Sequence, residues 1–510
     1  MENLFNGKDM EIINAHDLTT EKLTKQIDFF KKGQQFVKLL KPATVGDGIF
    51  RFTENEIDSF IDKFEKGLSL VKVIKFVPAS GAATRMFKNL LHFKNSYDEF
   101  SINLKSTIDK EGKNYESLLK TMKNLSNFAF YDKADEMTGY GIDFLIDEKK
   151  YSKVLSILFD KEKMNLSAKP KAFIEFHKYE EEVRTALEEH IVEGINYTKS
   201  LDGNINLHFT ISKEHENEFL TLTESLKQKY GEYKLNIEHS FQNPATDTIA
   251  VNPDNTPFRG EDGKIVLRPA GHGALLSNLN DLEADMVFIK NIDNVVPDKL
   301  KETTYRYKKF MGGLLMEIKE NIHELLFELN SGNYNSEKII SFIKRYYDND
   351  FELQNGISDE EKFNAFYQFL NRPVRICGMV KNEQETGGGP FWIEYKGNKS
   401  LQIIESAQID RSIKSNDDMI KNSTHFNPVD IVYSSKDFEG DFFNLENYVD
   451  NDQAFISEKS QNGKNLKALE LPGLWNGSMA DWLTIFVEVP LITFNPVKEV
   501  NDLLKEEHQA

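Results

Sequence analysis

Lys72-Val-Ile-Lys-Phe-Val-Pro-Ala-Ser-Gly-Ala-Ala-Thr-Arg-Met-Phe-Lys88 is the stretch that decides the predicted fold. Residues 73–77 form a short apolar, β-branched run that ends at a proline, which is typical of a buried strand. From Thr84 onward, apolar residues recur at helical spacing. The stretch therefore predicts a strand, a tight loop and a helix, the basic unit of an α/β fold.

The loop of this unit is the first candidate binding site. Its small side chains leave backbone N–H groups uncovered, and a helix that begins directly after it would aim its positive end at the same place. The Arg85 guanidinium adds a fork of donors suited to a polyphosphate. We predict an anion site at Ser80, Gly81, Ala82, Ala83, Thr84 and Arg85. A turn kept small for packing would show the same pattern, and the loop matches neither the Walker motif nor the dinucleotide fingerprint.

Composition narrows the classes of partner. The chain has 510 residues and a net charge of −19, which disfavours nucleic acid because phosphate-backbone binding needs a basic face. No segment approaches the roughly 20 apolar residues of a membrane helix, and the first residues show no signal-peptide pattern, so we expect no membrane partner. The single cysteine, Cys377, has no internal disulfide partner and is predicted to lie in the core. These features predict a cytoplasmic protein.

Patterning along the chain predicts three regions. Residues 1–70 are predicted to form a helical preface, residues 71–435 an α/β core, and residues 436–510 an extension docked on that core. Residues 86–165 are predicted to be a helical insertion in the core. Strand and helix alternate after it, which predicts a mostly parallel or mixed sheet with helices on both faces. In such sheets, ligands bind at the carboxyl ends of the strands.

A lysine after a proline is the second candidate. Pro170 fixes an extended turn and so presents the Lys171 ammonium at a defined place. We predict Lys171 to be a phosphate ligand, although a surface lysine in a basic loop would show the same pattern.

A glycine-flanked loop is the third candidate. Gly271, His272 and Gly273 follow the strand-like run 265–267, and a loop of this kind can lie flat against a base or a sugar. We predict these three residues to contact a nucleotide.

A carboxylate after a buried strand is the fourth candidate. Asp293 follows the apolar run 286–289, and Mg²⁺ prefers one or two carboxylates together with substrate phosphate oxygens. An Asx-turn at Asp293-Asn294 is the alternative. Either Asn427 or Asp430, beside a later strand, is predicted to complete the metal site.

Four stretches, in this order, resemble motifs of the nucleotide-sugar pyrophosphorylases of the GT-A nucleotidyltransferase superfamily: Ser80-Gly81-Ala82-Ala83-Thr84-Arg85, Pro170-Lys171, Gly271-His272-Gly273 and Asn291-Ile292-Asp293-Asn294. They resemble the Gly-rich Gly-Thr-Arg loop, a Pro-Lys element, the Gly-Asn-Gly loop that faces the base, and the metal-binding Asp after a central strand. Over most of its length, including the Leu-Pro-Gly-Leu-Trp-Asn-Gly tail, the chain is similar to a bacterial domain-of-unknown-function family of that superfamily. It departs from the pyrophosphorylase motifs at Ala83 and His272.

The resemblance implies a Mg²⁺-dependent nucleotidyltransferase with a GT-A-like fold. It would join a sugar 1-phosphate, or a similar phosphate monoester, to a nucleoside triphosphate and release pyrophosphate. Arg85 and the loop amides would then hold the triphosphate, Lys171 the reacting phosphates, and Asp293 the metal ion. A GT-A glycosyltransferase that uses a nucleotide sugar is an alternative. Ala83 also allows a protein that binds a nucleotide or nucleotide sugar without turnover.

Overall fold

The computed structural model describes residues 4–139, 141–199, 203–354, 356–383 and 387–510. Its strands, in chain order, are β1 (Lys38–Pro42), β2 (Thr44–Val45), β3 (Gly48–Phe50), β4 (Val73–Pro78), β5 (Glu175–Lys178), β6 (Val183–Thr185), β7 (Asn204–Thr210), β8 (Lys234–Ser240), β9 (Thr248–Ile249), β10 (Leu267–Arg268), β11 (Met286–Lys290), β12 (Val374–Lys381), β13 (Gly389–Tyr395), β14 (Asn398–Ile404), β15 (His425–Ser434), β16 (Phe455–Gln461), β17 (Lys464–Glu470) and β18 (Leu483–Glu488).

The helices, in chain order, are α1 (Gly7–Ala15), α2 (Thr20–Lys32), α3 (Glu54–Gly67), α4 (Lys88–Ser96), α5 (Lys105–Glu111), α6 (Lys113–Lys123), α7 (Tyr131–Glu136), α8 (Ile142–Asp147), α9 (Tyr151–Phe159), α10 (Ala186–Tyr197), α11 (Glu216–Lys229), α12 (Leu276–Asn280), α13 (Asp298–Asn330), α14 (Ser336–Tyr346), α15 (Asp359–Leu370) and α16 (Lys414–Lys421). Within the described ranges, none of them is both long and apolar enough to cross a membrane.

The chain divides into two compact units. The first unit consists of Met1–Lys72, Gln242–Phe288 and Phe310–Pro490, and the second of Val73–Phe241, Ile289–Lys309 and Leu491–Ala510.

The first unit is built on a mixed sheet in the order β2-β3-β18-β12-β15-β11. Strand β12 runs parallel to β18 and antiparallel to β15, so that Ile376 lies opposite Ile485 on one side and Val432 on the other. Strand β12 is buried along almost its whole length, which explains its continuous apolar pattern. Cys377 lies in this strand, fully buried, as predicted, and burial raises the pKa of its thiol to about 11.

The second unit is built on the parallel strands β4-β7-β8. Phe76 lies opposite His208, and Phe209 lies opposite His239, in continuous register. Helices α4 to α11 belong to this unit, and their apolar faces contribute to one large buried cluster. The mixed sheet of the first unit, this parallel ladder and the many helices confirm the predicted α/β class.

Two local expectations are wrong. Residues 1–70 are not wholly helical, because β1 to β3 occupy residues 38–50, and Leu39 pairs with Ile393 in an antiparallel ladder. Gly46 and Gly48 have φ of 86° and 97°, a conformation that ends a helix. Later in this region, Thr53 and Glu56 exchange hydrogen bonds at the start of α3 and form a capping box.

The second wrong expectation concerns the helix after the anion loop. Residues 83–85 form a single 3₁₀ turn, and α4 begins only at Lys88. The Ala83 N–H donates to the carbonyl of Lys169 at 2.9 Å, which ties this turn to the segment that carries Lys171. Arg85 therefore lies before the helix, and the N-terminus of α4 is not part of the loop.

Two stacked histidines make the second unit sensitive to acid. The ring of the buried His508 stacks on His177 at 5.4 Å, with 3.1 Å between His508 Nδ1 and His177 Nε2. His177 Nδ1 lies 2.7 Å from a Glu189 oxygen, so it holds the proton, and His177 Nε2 accepts from His508. Burial lowers the pKa of His508 to about 3.

We expect acid to destabilise this packing. Between pH 6.5 and about 3 the unfolded chain binds a proton at His508 that the folded chain does not, so the free energy of unfolding falls as the pH falls. Between pH 7 and pH 5 this group should remove about 2 kcal/mol. Urea titrations of the wild type and of His508→Leu at both pH values test this, and an equal loss of stability in the two proteins would contradict it.

Candidate active site

Uncovered backbone amides follow strand β4 in the second unit. The N–H groups of Ser80, Gly81 and Ala82 donate no hydrogen bond to any described residue, while those of Ala79 and Ala83 on either side do. Gly81 and Ala82 are exposed, and no atom lies within 4 Å of the position that a Gly81 side chain would take. Three successive free N–H groups at the carboxyl end of a parallel strand can bind an anion.

A short bridge joins this loop to the segment that carries Lys171. Ala82 and Pro170 form an isolated antiparallel bridge, in which the Lys171 N–H donates to the Gly81 carbonyl at 3.2 Å. The Thr84 hydroxyl donates to the Ser167 carbonyl at 3.1 Å. The predicted loop and the predicted Pro-Lys element are therefore held side by side.

Lys171 and Asp293 form an ion pair. Lys171 Nζ lies 2.8 Å from Asp293 Oδ2 and also donates to the Val497 carbonyl at 2.9 Å. Both side chains are largely but not fully buried, with 14% and 22% of their surfaces exposed. The Val497 N–H returns a hydrogen bond to the Asp293 carbonyl at 3.0 Å. This pairing brings together two residues that the sequence singled out separately.

A buried cluster of charged side chains connects the two strands that lead to the anion loop and to Asp293. The carboxylate of Glu193, on α10, accepts from Lys75 Nζ of β4 at 2.9 Å and from Lys290 Nζ of β11 at 2.7 Å. The three side chains are at most 2% exposed. His190, one turn earlier on α10, uses Nε2 to contact the Ile292 carbonyl at 3.2 Å, directly before Asp293. Glu193 thus ties together the two strands that lead to the anion loop and to Asp293.

The pKa values of this cluster are displaced by burial and by mutual attraction. Burial lowers the pKa of Lys75 to about 7, although the Glu193 charge opposes this. Burial alone would raise the pKa of Glu193, but the ammonium groups of Lys290 and Lys75 hold it far below its usual range. Glu193 therefore stays ionised at neutral pH.

Arg85 faces a different space. Its exposed side chain makes no hydrogen bond or ion pair with another described residue and lines a cavity of about 510 Å³ together with Lys88, His92 and Lys110. Lys171 and Asp293 do not line this cavity. Arg85 is therefore close to the free amides in the sequence. Its side chain, however, lines a cavity to which Lys171 and Asp293 do not contribute.

The Gly271–Gly273 loop belongs to the first unit, where the protein itself covers part of it. The ring of His272 stacks on Trp475 at 4.1 Å, and its Nδ1 accepts from the Leu474 N–H at 2.9 Å. The proton of His272 therefore sits on Nε2, which lies 3.4 Å from Glu405. A side chain on Gly273 would lie 2.1 Å from the Pro472 carbonyl oxygen, which explains the glycine. His272 thus fastens the loop to residues 472–475.

The two other predicted metal ligands also lie in the first unit. The Asn427 amide donates to the Gly378 carbonyl at 3.0 Å, and its oxygen accepts from the Val429 N–H at 3.1 Å. These bonds span a bulge in the β12–β15 ladder. Asp430 is buried opposite Gly378. Asn427 therefore uses both groups of its side-chain amide in hydrogen bonds to the backbone.

Asp293 is the carboxylate that best fits a magnesium ion. Its Oδ2 bonds to Lys171, while its Oδ1 forms no contact with another described residue and remains able to coordinate a cation. Among the described residues there is no group of three His, Cys, Asp or Glu side chains that could hold a metal ion by themselves. This arrangement suits Mg²⁺ only if substrate phosphate oxygens supply further ligands.

The sequence reasoning did not identify Lys75, Glu193 or Lys290. A signal was present, because Lys75 interrupts the apolar run 73–77 and Lys290 ends the apolar run 286–289. A lysine in a buried strand requires a partner. The partner of Lys75 is Glu193, which lies 118 residues away on α10, and no local pattern reveals it.

Comparison with known proteins gives one family and several solved structures. A family model described as Domain of unknown function (DUF4301) matches residues 6–509. A search of curated proteins gives no match. Among solved structures, the chain is similar to a variant of UDP-glucose pyrophosphorylase from Leishmania major in complex with UDP-glucose, at 12% identity and a TM-score of 0.44, with 98% of this chain and 77% of that chain covered.

Two Trypanosoma brucei structures are also similar. For UDP-glucose phosphorylase the identity is 12% and the TM-score 0.46, with 99% of this chain and 81% of that chain covered. For uridine diphosphate N-acetylglucosamine pyrophosphorylase in complex with an inhibitor, the identity is 10% and the TM-score 0.47, with 99% and 80% covered.

Proposed function

We propose that this chain, which belongs to the family described as Domain of unknown function (DUF4301), is a Mg²⁺-dependent nucleotidyltransferase with a GT-A-like nucleotide-binding core. It joins a sugar 1-phosphate, or a similar phosphate monoester, to a nucleoside triphosphate and releases pyrophosphate. The observation that carries the proposal is the group formed by the free amides of residues 80–82 and the Lys171–Asp293 pair, which the Ala82–Pro170 bridge holds together.

The chemistry that this group must perform is positioning and charge neutralisation. An oxygen of the monoester attacks the α-phosphorus of the triphosphate, the bond from that phosphorus to the bridging oxygen breaks, and pyrophosphate leaves with the electron pair. The monoester is already ionised at neutral pH, so no side chain has to remove a proton.

Each residue then has one role. The N–H groups of Ser80, Gly81 and Ala82 bind the phosphate oxygens on which charge accumulates, in a fixed orientation that needs no rearrangement. Lys171 exchanges its bond with Asp293 for one with the reacting phosphates, which releases Asp293 Oδ2. Asp293 would hold Mg²⁺, which supplies positive charge to the phosphate oxygens. In the first unit, the Gly271–Gly273 loop is proposed to contact the base or the sugar, and Asp430 is proposed as a metal ligand.

Binding without turnover is the second candidate function. In this structure Lys171 is already satisfied by Asp293 and Val497, and Asp293 belongs to no cluster of three ligating side chains in the described part of the chain. A protein that only senses a nucleotide or a nucleotide sugar would need nothing more. The two functions differ in whether pyrophosphate is formed or consumed.

Calorimetric titration with the four ribonucleoside triphosphates tests the proposal. We expect one of them to bind at one molecule per chain in the presence of Mg²⁺. Asp293→Asn keeps the size of the side chain but removes its charge, so it should weaken binding about tenfold or more with Mg²⁺ and much less in EDTA. Absence of saturable binding by all four nucleotides would overturn the proposal.

A further inference from the structure

A second cavity lies in the first unit, at the amino ends of two parallel strands. It measures about 410 Å³ and is lined by residues that include Leu483 and Thr484, at the start of β18. The parallel strands β12 and β18 both begin here, with Val374 opposite Leu483. Ligands of parallel strands ordinarily bind at their carboxyl ends, so this space is not the nucleotide site expected of the fold. We call it the amino-end cavity.

One wall of the amino-end cavity is aromatic. Phe369 lies at the end of α15, and its ring centroid is 5.9 Å from that of Tyr347 and 5.4 Å from that of Phe351. The Arg372 guanidinium stacks over the same Phe369 ring at 4.7 Å. All four side chains line the cavity. A flat apolar body can pack against such a wall, and a volume of this size suits a small organic molecule.

Among the charged side chains that line the cavity, one cation forms no ion pair with a described residue. Lys396 pairs with Asp481 at 2.7 Å, and Lys399 pairs with Asp350 at 2.6 Å and with Asp348 at 3.1 Å. Arg372 forms no ion pair with any described residue, and its Nε donates to the Phe369 carbonyl at 2.8 Å. Burial lowers the pKa of Arg372, which reflects the cost of holding this charge away from water. The cavity therefore offers one uncompensated guanidinium.

Two further polar groups of the lining are buried without a partner. Tyr347 is 9% exposed and Trp482 is 4% exposed, and neither the Tyr347 hydroxyl nor the Trp482 indole nitrogen bonds to another described residue. A buried donor without a partner costs about 1–3 kcal/mol, so such groups are retained where something else satisfies them. Both are donors, and both therefore call for an acceptor.

We propose that the amino-end cavity is a binding site for a small aromatic carboxylate. The carboxylate pairs with the Arg372 guanidinium and, once the buried Tyr347 and Trp482 side chains turn toward it, accepts from the Tyr347 hydroxyl and the Trp482 N–H, while the ring packs against Phe351 and Phe369. The negative charge of the carboxylate matches the Arg372 guanidinium, and inorganic phosphate has no ring to pack against Phe351 and Phe369. The site is independent of the nucleotide chemistry proposed above.

Calorimetric titration of the full chain tests this site. The probes are benzoate, phenylacetate and indole-3-carboxylate, with benzamide as the neutral analogue of benzoate and inorganic phosphate as the competing anion. We expect at least one carboxylate to bind at one molecule per chain in the millimolar range or tighter. Where that probe is benzoate, benzamide should bind at least tenfold more weakly, and phosphate should not displace the carboxylate.

Variants assign the binding to this cavity. Tyr347→Phe removes a hydroxyl that holds nothing in the free protein, so the fold is kept while the affinity falls about tenfold. Tyr433→Phe is the matched control, because its buried hydroxyl also lacks a partner among the described residues but does not line the cavity. Arg372→Met should abolish binding.

Three results would overturn the proposal. They are the absence of saturable binding by all three carboxylates, equal affinities in the wild type and in Tyr347→Phe, and displacement of the carboxylate by phosphate. If Arg372→Met does not fold, the comparison of Tyr347→Phe with Tyr433→Phe still decides between the outcomes.

Discussion

Replacing Lys171 by Met is expected to lower the turnover rate for formation of the nucleotide sugar by about 10²–10³. Lys171 is the one cation that contacts Asp293 and is held next to the anion loop through the Ala82–Pro170 bridge in the described structure. Methionine keeps the length and much of the volume of the stem but cannot neutralise a phosphate. Because the ammonium acts on charge that develops during the reaction, the turnover rate should fall far more than KM rises.

Lys169→Met is the matched control for this variant. Lys169 lies two residues earlier in the same segment, and its Nζ is 4.0 Å from Glu218. Its backbone carbonyl holds the loop, but its side chain does not contact Lys171 or Asp293. We expect Lys169→Met to retain activity within about threefold. Equal losses in the two variants, or full activity in Lys171→Met, would remove Lys171 from the mechanism.

Replacing Glu193 by Gln is expected to destabilise the protein by about 3–5 kcal/mol. Glutamine has the shape of the glutamate side chain but no charge, so it removes the carboxylate that accepts from the buried ammonium groups of Lys75 and Lys290. The loss should appear as a lower midpoint in urea unfolding at neutral pH with an unchanged slope. Activity should be measured well below that midpoint, so that the folded fraction stays constant.

An all-apolar replacement separates the charge from the packing. The triple variant Glu193→Leu, Lys75→Met and Lys290→Met removes all three charges of this group, so most of the lost stability should return. Because His190 contacts the backbone before Asp293, restored stability with reduced activity would show that the cluster also positions the site. A Glu193→Gln protein as stable as the wild type would contradict the assigned role.

The sequence predicts the second unit's site better than the first unit's. Strand β4, the loop after it, Lys171 and Asp293 could be singled out because each stands in a local pattern of strand, turn and polar residue. That Lys171 and Asp293 lie 2.8 Å apart could be anticipated only from the rule that strand ends share one edge of the sheet. The bond between Lys171 and Val497 depends on a segment 326 residues away and had no local signal.

Contacts distant in sequence also explain what was not foreseen. His272 was singled out for a nucleotide loop, yet its ring nitrogen accepts from the Leu474 N–H, 202 residues away, and no periodicity in either segment reports this contact. The helical interpretation of residues 36–39 followed apolar spacing, whereas pairing of β1 with β13 decides the outcome. Lys75 can be buried because Glu193, on α10, supplies its counter-charge.

The most direct test of the central claim is a pyrophosphate exchange assay. The protein is incubated with Mg²⁺, radiolabelled pyrophosphate and a panel of nucleotide sugars, and the labelled nucleoside triphosphate is measured over time. The account predicts label in one triphosphate with the wild type and at least a 10²-fold lower rate with Lys171→Met. Nucleotide sugars that bind without any labelled triphosphate being formed would contradict it and identify a protein that binds without turnover.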